Sequence, residues 1–491
     1  MSQQTHTADK PRFISTRGSA PDLSASAAIL QGLAPDGGLY MPDRPLGDIA
    51  PAASYAQTAL AVLQAAFGGD YEAEQLRTIA EKAYNAQRFD DERIVPLRRV
   101  GDRHVLELFH GPTASFKDLA LSVLPPLMAI ARQRLAPDRE ILVLTATSGD
   151  TGSATMAGFR DMPGIKVIVF YPEHGVSPVQ QAQMQRMAGD NLRAVAIRGD
   201  FDQAQRGVKQ IFARAQDIAP QCLLSSANSI NIGRLIPQMA YYLHAAHQLG
   251  EGAKPLFSVP TGNFGDIFAG ALAGQSGLSL SGLVCATNDN RVLKDVLDTG
   301  VYDRRRPLHK TLSPSMDILV SSNFERAVYA AAQGDAAHVS GLMTELEREG
   351  HMTLPPQVHS RLRASFAVAS CTDEQALRTM RAVNERHGYL PDPHTACAWQ
   401  ALDDISGRGA PNQPAVVLAT ASPYKFPQAA LSALGLQVPN DAREQLLSLS
   451  RHTGIPMPRA LDGLFDQPVL HDEVIDPDDM VAYVQRRATA W

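Results

Sequence analysis

The chain has 491 residues, 44% of them apolar and 20% charged, with a formal net charge of -6. That length calls for two or three domains with ample core. The acidic balance excludes an electrostatic footprint for nucleic acid, and the run Arg304-Arg305-Arg306 is too brief to supply one and reads as a solvated loop.

Four widely spaced cysteines (Cys222, Cys285, Cys371, Cys397) form no Cys-x-x-Cys and no Cys/His cluster. This fits a reducing cytoplasm and speaks against a disulfide framework or a metal site. The N-terminal stretch Met1 to Pro11 is polar and lacks the apolar region of a signal peptide. No apolar run reaches the length of a membrane span, and the longest, Leu119 to Ala131, contains Pro125 and Pro126. The expectation is a soluble protein.

In chain order, residues 1–95 read as a mainly helical N-terminal domain. Arg12 to Arg17 is a first strand, and Gly32 to Pro42 is a turn-rich loop that is tightest at Asp36-Gly37. Ala52 to Phe67 and Tyr71 to Arg88 are helical by period and alanine content. No titratable cluster stands here, so the segment reads as packing.

Val105 to Leu108 is a short strand. It leads through Gly111-Pro112 and the small-residue loop Thr113-Ala114-Ser115 to Phe116-Lys117-Asp118, at the head of the apolar run Leu119 to Leu124. A lysine at a helix N-terminus, with an apolar wall behind it and an aromatic beside it, is partly desolvated and gains free amine. Free amine is what Schiff-base formation with an aldehyde requires. On these three residues alone, a lysine snorkelling from a buried helix remains the alternative.

Glu140 to Thr145 is a buried strand, followed by Thr147-Ser148-Gly149-Asp150-Thr151-Gly152 and a helix. Strand, glycine-bearing polar turn and helix is the geometry in which backbone N–H groups bind an anion. There is no Gly-x-Gly-x-x-Gly here and no phosphate-binding Gly-Lys-Ser/Thr anywhere.

Strands at Lys166 to Tyr171, Leu192 to Ile197 and Cys222 to Ser225 alternate with helices, which means a parallel sheet covered on both faces. Asn228 to Arg234 heads the next helix, Leu235 to Leu249, and Arg234 is either a clamp for a phosphate or carboxylate or a surface arginine. The strand Leu256 to Pro260 runs into Thr261-Gly262-Asn263-Phe264-Gly265-Asp266 and an alanine- and glycine-rich helix. Two glycines flanking Asn-Phe let the backbone approach a phosphate. Asp266 is awkward there and reads as an N-cap turned away from the ligand. A last buried strand, Ala415 to Ala419, ends in Thr420 to Pro427, and the tail after Asn440 reads as a solvated helical ending.

An activated lysine and two anion-binding loops together suit a small phosphorylated aldehyde, with its carbonyl on Lys117 and its phosphate on Gly262 to Asp266. Pyridoxal 5′-phosphate is such a molecule, and the turn Thr147 to Thr151, Gly149 included, would then receive a substrate carboxylate.

The segments Gly32 to Tyr40, Leu108 to Thr113 with Phe116 to Asp118, Thr145 to Gly152, Pro260 to Asp266, Ser313 to Ile318, Asp392 to Ala396 and the Thr420 run occur in one order. In this the chain resembles the threonine synthases, a family of fold type II pyridoxal-phosphate enzymes. The resemblance covers most of the chain. It departs at Thr113-Ala114-Ser115-Phe116, where the family has a larger apolar residue before the small one.

The resemblance implies an α/β fold with two open, mostly parallel sheets flanked by helices. The domains expected are 1–95, a large cofactor domain of 96–134 and 250–491, and a small domain of 135–249. It implies that Lys117 carries pyridoxal phosphate and moves protons on the substrate. Gly262, Asn263, Phe264, Gly265 and Asp266 would surround the cofactor phosphate, and Thr420 would meet the pyridine nitrogen. Thr147, Ser148, Gly149, Asp150 and Thr151 would meet the substrate carboxylate and the cofactor edge. Ser229, Asn231 and Arg234 would take the substrate phosphate.

The implied reaction turns O-phospho-L-homoserine and water into L-threonine and phosphate, in a cytoplasmic monomer or homodimer without metal, nucleic-acid or membrane partners. A phospho-lyase giving 2-oxobutyrate and a non-catalytic cofactor-binding protein remain the alternatives.

Overall fold

The buried strands assemble into two sheets in a computed structural model that describes residues 11–405 and 413–491. The polar N-terminal run Met1 to Lys10 lies outside the described residues. The larger sheet has the order Phe366–Ser370, Gly282–Thr287, Leu256–Pro260, Ala415–Ala419, Arg103–Glu107, Leu97–Val100. Its neighbours are parallel except at the last pair, where Leu97–Val100 runs antiparallel along the edge. The smaller sheet has the order Val474–Ile475, Leu192–Ile197, Ile165–Pro172, Glu140–Ala146, Cys222–Ser226 and is parallel throughout. Its inner strands are buried along nearly their whole length, as continuous Val/Ile/Leu runs demand when helices cover both faces.

Parallel strands bring their carboxyl ends to one edge, where open α/β sheets hold ligands. Arg103–Glu107, Ala415–Ala419 and Leu256–Pro260 are adjacent, so the loops leaving them at Leu108, Thr420 and Thr261 emerge side by side. The first two are stitched together: Phe116 N–H donates to Thr420 O at 2.8 Å and Ser422 N–H to Ala114 O at 3.1 Å. In the smaller sheet, Glu140–Ala146 pairs with Cys222–Ser226, so the turns from Thr147 and from Ala227 also leave together. Both sets of loops border one cavity.

Three expectations need correction. The N-terminal segment does more than pack, because Arg17, Leu33, Ala34, Pro35 and Gly37 line that cavity. The helix expected over Leu235 to Leu249 is broken into Ile232–Leu235, a tight turn at Ile236–Gln238 and Met239–Leu249, with Pro237 lacking the N–H a continuous helix needs.

The tail also departs from the large domain as bounded at 250–491. Val474–Ile475 extends the smaller sheet beside Leu192–Ile197, and the helix Met480–Thr489 buries Met480, Tyr483 and Val484 in a cluster with Phe170, Val195 and Ile197. The apolar spacing of that helix needs a partner, and the face of the smaller sheet together with the helix Phe201–Ala213 supplies one. Among the described residues no helix is long and apolar enough to cross a membrane.

Candidate active site

The cavity between the sheet edges has a volume of about 650 Å³ and holds Lys117 on its wall. Lys117 is the first residue of the short helix Lys117–Leu121, and its side chain is 11% exposed. Leu119, Ala120 and Leu121 are buried behind it, and Phe116 lies beside it with its ring centroid 4.6 Å from Nζ. Burial pushes the Lys117 amine below the ordinary lysine range, the cations of Lys425 and Arg234 push the same way, and Asp150 opposes them. The preceding loop is braced by Asp118, which accepts from Thr113 N–H at 2.8 Å and from Thr113 Oγ1 at 2.7 Å. Ala114, the departure noted in the sequence, stands at φ +57° and is fully buried, where a bulkier side chain would meet more strain.

Asp150 is the hub. Its Oδ2 lies 3.4 Å from Lys117 Nζ and accepts from Ser315 Oγ at 3.1 Å. Its Oδ1 lies 2.8 Å from Lys425 Nζ and accepts from Gln180 Nε2 at 2.7 Å. Burial raises the Asp150 carboxyl, but the charges of Lys425 and Lys117 outweigh it and hold the group well below the usual carboxylate range. Asp150 opens the helix Asp150–Phe159 after Gly149, whose φ of +130° a side chain would strain.

The turn is closed from inside: Thr147 Oγ1 accepts from Gly149 N–H and Gly152 N–H, both at 2.9 Å. Thr147, Ser148, Asp150 and Thr151 line the cavity, while Gly149 leaves room for Gln180, whose side chain a Cβ there would meet at 2.4 Å.

The glycine loop offers a phosphate cradle. Gly262 O accepts from Ser321 Oγ at 2.7 Å, and Asn263 O accepts from Asn323 N–H at 2.9 Å. Because each peptide's N–H points opposite its C=O, those bonds turn the N–H groups of Asn263 and Phe264 the other way. Among the described residues no protein acceptor takes the N–H groups of Gly262, Asn263, Phe264, Gly265 or Asp266. They stand at the N-terminus of the helix Gly265–Gln275 and line the cavity, an arrangement that fits a phosphate.

Gly262 is needed for close approach, since a Cβ there would sit 2.7 Å from Ser315 O. Phe264 contributes backbone alone: it takes φ +64°, and its ring packs against Phe324 and Phe366 at 5.4 and 5.0 Å. Phe264, not Asp266, precedes the helix, so the N-cap expectation for Asp266 fails. Asp266 Oδ1 accepts from Tyr241 and Tyr242 hydroxyls at 2.6 and 2.7 Å, and burial lifts its carboxyl to about 6, against the pull of those hydroxyls.

Thr420 follows the strand Ala415–Ala419, is 5% exposed and lines the cavity. Ser229 and Arg234 line it too. Arg234 is buried; it donates through Nη1 to Ala227 O, has no partner at Nε, and burial lowers it to about 10. Asn231 does not belong with them. It is fully buried, donates to Ile29 O at 2.9 Å and Ser226 O at 3.0 Å, accepts from Gly233 N–H at 2.9 Å, and is absent from the lining. Its amide is spent on capping the helix Ile232–Leu235.

Several residues were not singled out in the sequence. Lys425, Gln180 and Ser315 hold Asp150. His394 accepts at Nε2 from Ser315 N–H at 3.2 Å and faces Asp392 Oδ2 through Nδ1 at 2.6 Å, which assigns the ring proton to Nδ1. Arg326, fully buried, donates to Tyr40 O, Ser229 O and Ile230 O and ties the N-terminal domain to the cavity wall. Ser315, His394 and Lys425 lie in the runs Ser313 to Ile318, Asp392 to Ala396 and Thr420 to Pro427, so their neighbourhoods, though not their roles, were visible. Gln180 carried no signal.

A nucleophilic amine, a phosphate cradle and a hydroxyl on one cavity fit a phosphorylated aldehyde. Comparison with known proteins agrees. The pyridoxal-phosphate dependent enzyme family matches residues 94–421, the threonine synthase N terminus matches 12–84, and the threonine synthase C-terminal family matches 395–481. A threonine synthase of Pseudomonas aeruginosa is 40% identical over 428 residues, 85% of this chain and 89% of its own length. Threonine synthase-like 1 of Homo sapiens is 35% identical over 91% of this chain, which spans 64% of that protein. The crystal structure of pyridoxal-phosphate-bound threonine synthase from Brucella melitensis has a TM-score of 0.87 at 36% identity, covering 98% of this chain and all of that one.

Proposed function

This chain belongs to the threonine synthase family of pyridoxal-phosphate enzymes, and from that premise we propose how its own residues turn O-phospho-L-homoserine and water into L-threonine and phosphate. Lys117 would hold pyridoxal phosphate through its amine. The open N–H groups of Gly262 to Asp266 would hold the cofactor phosphate, and the Thr420 hydroxyl would meet the ring nitrogen. A hydroxyl there, unlike a carboxylate, does not favour a protonated ring nitrogen. Pyridoxal phosphate, when bound, supplies an electron sink for negative charge developing next to the substrate amine.

The chain's part in the chemistry is binding, orientation and proton traffic. Lys117 takes the proton from the substrate Cα and returns one later, since it is the basic group on the cavity wall and burial pushes its amine below the ordinary lysine range. The substrate carboxylate lies on the open N–H groups of Ser148, Asp150 and Thr151, at the head of the helix Asp150–Phe159. Arg234 and Ser229, which both line the cavity, take the substrate phosphate, Arg234 as a guanidinium suited to a phosphate oxygen. In the net change Cβ loses a proton, the Cγ–O bond breaks with its electron pair leaving on phosphate, Cγ gains a proton, and water supplies the hydroxyl to Cβ and a proton to the departing phosphate. The walls must keep water from the reacting carbons until phosphate has left.

The observation that carries this reading is the convergence of the buried Lys117 amine and the Gly262–Asp266 cradle on one cavity. The large domain is read as 96–134 with 250 to about 470, the small domain as 135–249 joined by the tail, and the enzyme as a cytoplasmic monomer or homodimer. Free, buried cysteines support a reducing compartment.

The test is to supply the purified protein with cofactor and O-phospho-L-homoserine and identify the products. Threonine with equimolar phosphate is expected, and Lys117→Ala should lose turnover while keeping its circular dichroism spectrum. 2-Oxobutyrate with phosphate would move the enzyme to the phospho-lyases.

A further inference from the structure

Two lysines share one buried carboxylate, and their contacts are unequal. Lys425 is fully buried, with Nζ 2.8 Å from Asp150 Oδ1 and donating at 2.8 Å to Thr113 O. Lys117 reaches the other oxygen of Asp150 at 3.4 Å. Lys425 therefore holds two short acceptors, one charged and one a backbone carbonyl, and both need an N–H donor. Lys117 has one long contact to an oxygen that Ser315 Oγ already approaches at 3.1 Å.

We propose that Lys425 is a positioning residue that satisfies the charge of Asp150, so that Lys117 on the opposite oxygen is held as the neutral amine. The inference deepens the reading of Lys117 as the cofactor lysine and rests on it.

Charge counting gives the reason. A buried cluster of one carboxylate and two ammonium groups carries a net positive charge, which a low-dielectric site disfavours. Loss of one proton makes the cluster neutral, and the better-bonded Lys425 is the one that keeps its proton. Without Lys425, Lys117 would be the only cation beside Asp150 and would be held charged.

The other charged groups facing Lys117 do not replace this device. Arg234 is a further cation and pushes the same way, Asp118 is engaged by Thr113, and Asp266 is engaged by Tyr241 and Tyr242. The direction in which burial and Lys425 move the Lys117 amine agrees. Lys425 is itself placed by its segment: its N–H donates to Ser422 O at 3.0 Å, and its own carbonyl accepts from Ser177 Oγ at 3.0 Å. It does not touch the reacting atoms and acts through Asp150.

The test reads the protonation of Lys117 directly. The full chain, freed of cofactor, is labelled with trace acetic anhydride across a pH series, and the Lys117 peptide is quantified by mass spectrometry against Lys82 in the same sample. The midpoint for Lys117 should lie below that for Lys82. Lys425→Met should raise it by about one pH unit or more, Lys425→Arg should restore the low value, and Asp150→Asn should lower it further.

A tether role alone would leave the midpoint unmoved in a folded Lys425→Met protein, and that result overturns the inference. If Lys425→Met does not fold, Lys425→Gln, which keeps a donor for Asp150 and Thr113 O but carries no charge, is read in its place with Asp150 intact. An upward shift relative to the wild type is expected there, and none overturns the inference. Borohydride reduction of the holoenzyme and peptide mapping separate the two readings. Cofactor on another lysine overturns both, whereas cofactor on Lys117 with an unmoved midpoint overturns this one alone.

Discussion

Asp266 shows how much a single residue's chemistry depends on what surrounds it. In sequence it looks like a carboxylate misplaced in an anion site. In the fold, burial lifts it to about 6, and the hydroxyls of Tyr241 and Tyr242 pull it partly back. An acid raised in the folded state favours the fold most while it is protonated, so this contribution is full below about pH 4 and is lost as pH rises through about 6. Asp266→Asn removes the titration. The unfolding free energy of the wild type relative to the variant should fall by about 2–3 kcal/mol between pH 4 and pH 7.5 in urea titrations, and parallel profiles would refute the account. Lys117 and Thr420 both stand on the cavity wall, Lys117 where its loop and helix start place it and Thr420 where the family resemblance does. Asn231 and Arg234, three residues apart, look alike as ligands in sequence, and only their existing partners and their place relative to the cavity divide them.

At the scale of elements, the cradle depends on how closely backbone can approach backbone. A Cβ at Gly262 would meet Ser315 O at 2.7 Å and Met316 Cα at 3.2 Å, so the loop and the Ser313 to Met316 turn must part to admit it. Gly262→Ala should weaken cofactor binding by about tenfold or more, about 1.4 kcal/mol, measured by titrating pyridoxal phosphate into the cofactor-free protein and following absorbance. Gly265→Ala meets its nearest neighbours only at 3.2–3.3 Å and should cost less. Equal losses at the two positions would mean that close approach is not the reason for Gly262. The loop was readable in sequence because two glycines around Asn-Phe state a local backbone need. The break at Pro237 is equally local, because a proline has no N–H to give a continuous helix.

At the scale of the whole molecule, the tail completes the smaller sheet. Met480 is fully buried, and its Sδ lies 2.4 Å from where a Cβ on Gly207 would be, so the glycine makes room for it. Met480→Ala should cost about 2–5 kcal/mol in urea-induced unfolding, and a loss under about 1 kcal/mol would show that the tail is dispensable. The acidic stretch Asp472 to Asp479 gives the tail the composition of a solvated segment. The apolar Met480, Tyr483 and Val484 behind it carried the opposite signal, at a helical spacing that names no partner.

By itself the sequence determined the α/β alternation, the buried strands, the lysine at a helix start and the two glycine-bearing loops that lead from strands into helices. Each of these is written in a local conformational preference or a short-range apolar pattern. The tertiary structure alone decided which loops share a cavity, that Asn231 is spent on its own helix, that the tail returns to the smaller sheet, and that Lys425 and Lys117 divide one carboxylate. Those outcomes depend on desolvation and on charge acting through space, and both exist only once distant segments have packed.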